Sequence, residues 1–337
     1  MLPRLDRYNT GNIAVLGVFM TVDSWRSLGR NLSCASIRLV LCFVLVPVPS
    51  AMAGTIVRIS TGIGDYSIEL LDDEAPITVQ NFLNYVNRND YNGTYIHRAV
   101  DNFVVQGGGY RFRPFEGPID VPSDDPIQNE FNVSNTRGTV AMAKVDGDPN
   151  SATNQWFVNL VDNSASLDDS NGGFTVFGVV LGDGMITVDA IDALPFASLG
   201  VKASEAPYIT PVYNDPKDFL YINAEVMQRF SAAPHVLESA TGLLITSVSI
   251  DSGADLISMN FNAVSSSPNV VIRANAESVI PRKESFDGIA EYSTIDGRLR
   301  IPALEVNLNG AVSIVNNVVF VLTDQATGSF TLESFDQ

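Results

Sequence analysis

The sequence predicts a mainly β protein, on three observations. Apolar and polar residues alternate with period two in many short runs, Gly-, Asn- and Asp-rich turns separate those runs, and a helical period appears in only two places. This pattern suits a compact antiparallel barrel better than a parallel α/β sheet. From residue 54 onward, Ile56, Arg58 and Ser60 alternate with Val57 and Ile59, and residues 66–70 repeat the pattern. Between residues 72 and 90 the period changes: Pro76 stands in a first-turn position after Asp73 and Glu74, and Val79, Phe82, Leu83 and Val86 recur at spacings of three and four. That predicts an amphipathic helix. A second helix is expected over residues 185–194, with Val188 and Ile191 on one side and Pro195 as its stop. Residues 195–216 read as loop, and residues 218–226 as a strand that returns to close the first domain.

After Ala233-Pro234 the composition changes. Ile257, Met259, Phe261 and Ala263 alternate with Ser258, Asn260 and Asn262, and comparable alternation recurs over residues 299–308, 312–322 and 330–335. Turn signals at Ser267-Pro268-Asn269, Asp287-Gly288, Asp296-Gly297 and Asn309-Gly310 divide these runs. The expectation is a leader over residues 1–53, a first domain over 54–230 and a separate antiparallel β-sandwich over 235–337.

The chain has 337 residues, about two domains at roughly 150 residues each. Its 45% hydrophobic content supports ordinary cores and excludes a disordered or fibrous chain. Lys plus Arg total 20 against 38 Asp plus Glu, a net charge of -18. That balance opposes sequence-independent binding to phosphates or anionic lipid, so no nucleic-acid partner is expected. With only His97, His235, Cys34 and Cys42 there is no His/Cys cluster for zinc and no disulfide framework.

Arg26, Arg30 and Arg38 precede an apolar run of ten residues from Leu39 to Val48, followed by Pro49, Ser50 and Ala51-Met52-Ala53. This is the layout of a secretory signal peptide. The run falls short of the roughly 20 residues a helix needs to cross a bilayer. A retained anchor is the alternative, and Met20 is a second candidate start. Both cysteines fall within this stretch, neither in a lipoprotein site. Without residues 1–53 there remain 15 basic and 36 acidic side chains, a net charge of -21 over 284 residues. A thiol-free acidic product fits an oxidising space, so a bacterial periplasm or the exterior is expected, with no stable membrane insertion after leader cleavage.

The segment from Tyr95 to Tyr110, Tyr-Ile-His-Arg-Ala-Val-Asp-Asn-Phe-Val-Val-Gln-Gly-Gly-Gly-Tyr, sets one arginine and one amide among apolar neighbours. It is followed by Asn129-Glu130, Gly138-Thr-Val-Ala-Met-Ala143, Ser151-Ala-Thr-Asn-Gln-Trp-Phe-Val-Asn159, Leu167-Asp168 and Phe174-Thr-Val-Phe-Gly178. In this order and spacing the blocks closely resemble the cyclophilin family of peptidyl-prolyl isomerases, in its bacterial exported form, over about residues 54–228. The resemblance implies a cyclophilin-like eight-stranded antiparallel barrel capped by two helices, with the site on its outer face, and a cofactor-free isomerase acting on proline bonds of unfolded or folding polypeptides.

Residue by residue, Arg98 matches the family's catalytic arginine and Gln106 the glutamine that holds the substrate backbone and helps position it. Phe103, Val104, Phe157 and Leu167 match the proline socket, Val104 replacing a longer side chain common in eukaryotic members. Ala143 and Gln155 match positions lining the peptide groove. Lys144 stands where many relatives carry Asn, with its backbone as the expected contact, and Phe174 stands where eukaryotic relatives carry His. Ser166 occupies the place of the tryptophan that supports cyclosporin binding, so weak drug sensitivity is expected.

Other readings compete. Arg98 taken alone would be a surface ion-pair partner, and the aromatics, Phe177 included, simply core. His97 is expected to be structural, because amide rotation transfers no proton. Gly107-Gly108-Gly109 lacks the lysine and spacing of a phosphate loop and reads as a tight strand end. Residues 146–150 and 168–172 carry Ca²⁺-like oxygen density but lack EF-hand offsets. The alternative function is a non-catalytic proline-peptide binding or chaperone module whose C-terminal domain carries the biological role; otherwise that domain docks clients, self-associates or attaches to an envelope structure.

Overall fold

A computed structural model describes residues 54–337 apart from Asn214, Asn309 and Gln337. The leader expectation falls on residues 1–53 and lies outside the described residues. In chain order the first part comprises β1 (Ile56–Thr61), β2 (Gly64–Leu70), α1 (Pro76–Asn87), β3 (Thr94–Tyr95), β4 (Arg98–Val100), β5 (Val104–Gly107), β6 (Tyr110–Arg113), β7 (Gly117–Asp120), β8 (Thr139–Met142), β9 (Trp156–Asn159), α2 (Ser164–Leu167), β10 (Val176–Val180), α3 (Gly184–Asp192), β11 (Phe196–Ala197), β12 (Ala206–Pro207) and β13 (Tyr221–Met227).

Eleven of these strands form one sheet in the order β4-β5-β9-β8-β10-β2-β1-β13-β3-β6-β7, antiparallel throughout. β3 and β4 lie far apart in that order, yet only Ile96 and His97 separate them in the chain. The sheet must therefore curl until its ends approach. The resemblance implies eight strands; eleven segments are seen because the extended stretch from Thr94 to Val100 breaks at Ile96–His97 and the β6–β7 hairpin adds to one edge.

The sheet closes over a core of Val57, Ile59, Ile68, Trp156 and Phe177, against which α1 packs Val79, Phe82 and Val86. Phe82 sits 4.9 Å from the Phe177 ring, so Phe177 is the core aromatic that its apolar surroundings suggest. Tyr85 is fully buried where the helical pattern favours Leu83; its hydroxyl accepts the Asp124 N–H at 2.7 Å. α1 has no local side-chain cap, and Glu130 supplies one from a distant loop, accepting from the N–H groups of Ile77 and Thr78 at 3.1 and 2.7 Å. A carboxylate is favoured there by the unpaired N–H groups and the positive end of the helix dipole. α3 buries Val188 and Ile191 as its period predicts, and the one-turn α2, too short to show a period, adds a third helix to the two expected.

The C-terminal strands are β14 (Val236–Glu238), β15 (Leu243–Ile250), β16 (Asp255–Ser265), β17 (Val271–Pro281), β18 (Ala290–Ser293), β19 (Arg298–Leu308), β20 (Ala311–Asp324) and β21 (Ser329–Asp336). The turn signals at residues 267–269, 287–288 and 296–297, and Gly310 of the fourth, fall between strands. The strands share one internal core, including Leu244, Phe261, Leu299, Phe320 and Phe330, as expected of a sandwich. They do not divide into two antiparallel sheets. A single eight-stranded sheet is joined at its ends by two parallel pairings, β14 with β19 and β15 with β18. Parallel pairing joins strands distant in the chain, so alternation along each strand carries no sign of it.

The two sheets meet through buried polar groups. Glu225 accepts from Asn92 Nδ2 at 2.9 Å and from Asn260 Nδ2 at 2.6 Å, and Asn223 Nδ2 donates to the Ser278 carbonyl at 2.5 Å. Burial pushes the Glu225 carboxyl pKa up. Among the described residues no helix is long and apolar enough to cross a membrane.

Candidate functional site

Strands β5, β8, β9 and β10 are apolar on both faces, which explains why the text around them runs continuously hydrophobic. Successive side chains of a strand point to opposite faces. Val105, Val140, Met142, Trp156, Val158 and Phe177 accordingly face the main core. Val104, Ala141, Phe157 and Val176 face the other way and join Leu167, with Phe103, Ala143 and Phe174 packed against them. A second apolar cluster thus lies on the outer face, and it contains all the residues expected to hold a proline ring.

The loops around this cluster are tied by hydrogen bonds. The Phe103 carbonyl accepts from Leu160 N and from Asn163 Nδ2, both at 2.9 Å. Phe174 N donates to the Leu167 carbonyl at 3.1 Å, and the Phe174 carbonyl accepts from Asn135 Nδ2 at 3.0 Å. The Asp168 carboxylate accepts from the Ser134 hydroxyl and from Asn135 N and Nδ2, which lowers its pKa against the opposing effect of desolvation. The Phe174 ring meets Phe157 edge-on at 5.9 Å.

The polar half of the site runs beside the cluster. Arg98 and Gln106 are register partners in the β4–β5 ladder, and Arg98 Nη1 donates to Gln106 Oε1 at 3.3 Å. Gln106 Nε2 donates to Gln155 Oε1 at 2.9 Å. Arg98 Cζ stands 5.7 Å from the centroid of Phe103, within cation–π range. The arrangement presents a half-buried permanent cation, held by an amide, at the rim of an apolar socket.

Gly107-Gly108-Gly109 is a tight strand end, matching the non-phosphate reading. Gly108 has φ +87, and a Cβ there would fall 2.6 Å from the Asn154 carbonyl oxygen; one on Gly109 would fall 2.7 Å from the Gln155 amide. The glycines let the backbone pass the groove side chains.

Lys144 follows β8 and Ala143 in the chain. Its side chain folds inward, Nζ donating to the carbonyls of Asn171 and Gly173 at 2.8 and 2.6 Å and lying 4.7 Å from the Phe174 ring centroid. Desolvation lowers its pKa. His97 is 3% exposed, edge-on to Tyr110 at 4.8 Å, and its Nδ1 has no hydrogen-bond partner. Burial, with the Arg98 charge adding to it, brings its pKa down to about 4, so it is neutral at pH 7. Ser166 donates its hydroxyl to the Asn163 carbonyl at 3.0 Å.

The ten residues matched to the arginine, the glutamine, the socket and the groove therefore lie in one connected patch. Sequence reasoning missed Glu205, whose carboxylate stands 3.6 Å from Arg98 Nε. It sits in the loop-like stretch after Pro195, where no periodicity marks it.

A family model described as "Cyclophilin type peptidyl-prolyl cis-trans isomerase/CLD" matches residues 56–212. A peptidyl-prolyl cis-trans isomerase of Acinetobacter baylyi is 40% identical over 152 residues, covering 45% of this chain and 79% of its own length. Peptidyl-prolyl cis-trans isomerase B of Escherichia coli is 42% identical over 151 residues, covering 43% and 88%. A Cryptosporidium parvum cyclophilin-type isomerase, solved in the presence of the dipeptide Ala-Pro, aligns with TM-score 0.39 and 21% identity over 52% of this chain and 99% of its own.

Proposed function

The chain belongs to the cyclophilin-type peptidyl-prolyl cis-trans isomerases and is an enzyme of that activity, and from this premise we propose that Arg98 accelerates X-Pro rotation by stabilising the twisted amide over the Phe103–Phe157 socket. The observation that carries this is the guanidinium hydrogen-bonded to Gln106 at the edge of the apolar cluster. An X-Pro amide rotates slowly because its C–N bond has partial double-bond character, with a barrier of about 18–20 kcal/mol. In the twisted state nitrogen becomes pyramidal and regains a lone pair. A fixed cationic donor aimed at that nitrogen or the adjacent carbonyl is favoured more by this state than by either planar isomer. Arginine suits the task because it stays charged and offers several donors in one plane.

Phe103, Val104, Phe157 and Leu167 receive the ring, while Gln106 and Gln155 offer polar contacts to the peptide backbone and Ala143, Lys144 and Phe174 border the groove. In this reading the substrates are proline-containing segments of unfolded or folding polypeptides. Residues 54–230 carry the activity, residues 235–337 serve as an accessory β module, and residues 1–53 direct export to the periplasm or exterior. The arginine layout ahead of residues 39–48 and the absence of cysteine from residues 54–337 support export.

A protease-coupled proline assay tests the catalytic part: Arg98→Ala should lower kcat/KM by about two orders of magnitude or more, the scale of losing a preorganised electrostatic donor. Equal rates would remove Arg98 from the mechanism. N-terminal sequencing of the exported protein tests the leader, with the mature chain expected to begin near Gly54.

A further inference from the structure

Arg98 is flanked on both sides of its strand. On one side stands Gln106; on the other, the chain around Glu205 runs alongside β4, and Arg98 and Glu205 form an isolated parallel bridge. Ala99 N donates to the Glu205 carbonyl at 2.9 Å, and Glu205 N donates to the His97 carbonyl at 3.4 Å. Side chains paired across adjacent strands project to the same face. Glu205, Arg98 and Gln106 therefore form a row, extended by Gln155 through its bond to Gln106.

The row engages the guanidinium at two of its three nitrogens. Glu205 Oε2 lies 3.6 Å from Nε, and Gln106 Oε1 accepts from Nη1 at 3.3 Å. Nη2 donates no hydrogen bond to any described residue. The segment carrying Glu205 is itself anchored: Ala203 and Ala206 are fully buried with Tyr95 and Phe219, and the Tyr95 hydroxyl donates to the Lys202 carbonyl at 2.6 Å. Both partners of the ion pair are about one-third exposed, 33% and 35%. A pair so hydrated adds little to stability. Its consequence is geometric: it restricts a long side chain that would otherwise sample several rotamers, and misplacement of a reacting group is costly in rate.

We propose that Glu205 is a positioning residue for the isomerase reaction, holding the Nε edge of Arg98 while Gln106 holds Nη1, so that the guanidinium stays over Phe103 with Nη2 available to the proline amide. The role depends on Arg98 acting as read above. Removing the carboxylate frees the guanidinium to swing, which lowers kcat while leaving the apolar socket, and hence KM, nearly unchanged.

The test measures kcat and KM on a proline tetrapeptide for the whole mature chain and for Glu205→Ala, Glu205→Gln, Arg98→Ala and the double variant Arg98→Ala with Glu205→Ala, with circular dichroism and Tm as the check of folding. Glu205→Ala is expected to lower kcat about three- to tenfold with KM within about twofold of wild type, since positioning losses fall on the reacting step. Glu205→Gln, which keeps one acceptor oxygen, recovers part of the loss. The double variant matches Arg98→Ala within about twofold, because residues acting through one another do not add. An unchanged kcat in Glu205→Ala, a Glu205→Gln variant slower than Glu205→Ala, or losses that multiply in the double variant would overturn the proposal. A wild-type rate in Arg98→Ala would instead overturn the role of Arg98, and the positioning role with it.

Discussion

Arg98 and Gln106 face each other across the β4–β5 ladder with Nη1 3.3 Å from Oε1, and the Gln106 amide is held in turn by Gln155 at 2.9 Å. The hold on Nη1 is thus a neutral amide, itself fixed by a second amide, while the Glu205 carboxylate stands 3.6 Å from Nε. Gln106→Ala removes the hold on Nη1 and a polar contact for the peptide. It is expected to lower kcat/KM about tenfold or more, less than Arg98→Ala does, with Tm nearly unchanged because Gln106 is only partly buried. The protease-coupled assay measures it.

His97 gives the fold a pH dependence. Its pKa is about 4 in the folded chain against an ordinary value of 6.5. Between those values the unfolded chain binds a proton that the folded chain excludes, so stability falls as pH drops from about 6.5 towards 4. By linkage the full loss is about 3 kcal/mol. Above pH 7 this residue contributes no slope. Urea unfolding at pH 7.5, 6 and 5 should show a shallower decline for His97→Asn, which does not titrate; parallel curves for the two proteins would refute this.

Lys144 braces the rim of the groove. Lys144→Met leaves the carbonyls of Asn171 and Gly173 without their charged donor and removes the cation beside Phe174. The expected result is a loss of about 1–3 kcal/mol of stability and a several-fold rise in KM for peptides, with kcat little changed. Steady-state kinetics and thermal unfolding together separate the two effects.

Glu130 acts on the fold alone. Glu130→Ala strips α1 of the carboxylate that accepts from Ile77 and Thr78. Stability should fall by about 1–2 kcal/mol. Isomerase activity at 25 °C is expected to stay at the wild-type level, measured alongside chemical denaturation.

Much of this molecule was legible in its sequence wherever short-range chemistry decides. Val79, Phe82 and Val86 announced α1, Val188 and Ile191 announced α3, and the turn signals at residues 267–269, 287–288 and 296–297 fall between strands. The blocks containing Arg98, Gln106, Phe157 and Phe174 named a single patch, since residues alternating along neighbouring strands must share a face. By contrast, Glu130 capping a helix more than 50 residues away, Lys144 turned onto the 171–173 carbonyls and Glu205 reaching Arg98 from an aperiodic loop have no local signature.

The mainly β class, the helices long enough to show a period, the turn positions and the chemical content of the site follow from short-range pattern along the chain. How distant segments meet does not: eleven strands curling so that β3 and β4 nearly touch, a C-terminal sheet joined at its ends by two parallel pairings, and Arg98 held between Gln106 and Glu205 are features of the long-range fold. The reason is physical. Periodicity reports which face of an element is buried, whereas pairing between remote strands depends on backbone hydrogen bonds, which are common to every residue but proline and so leave little trace in side-chain pattern.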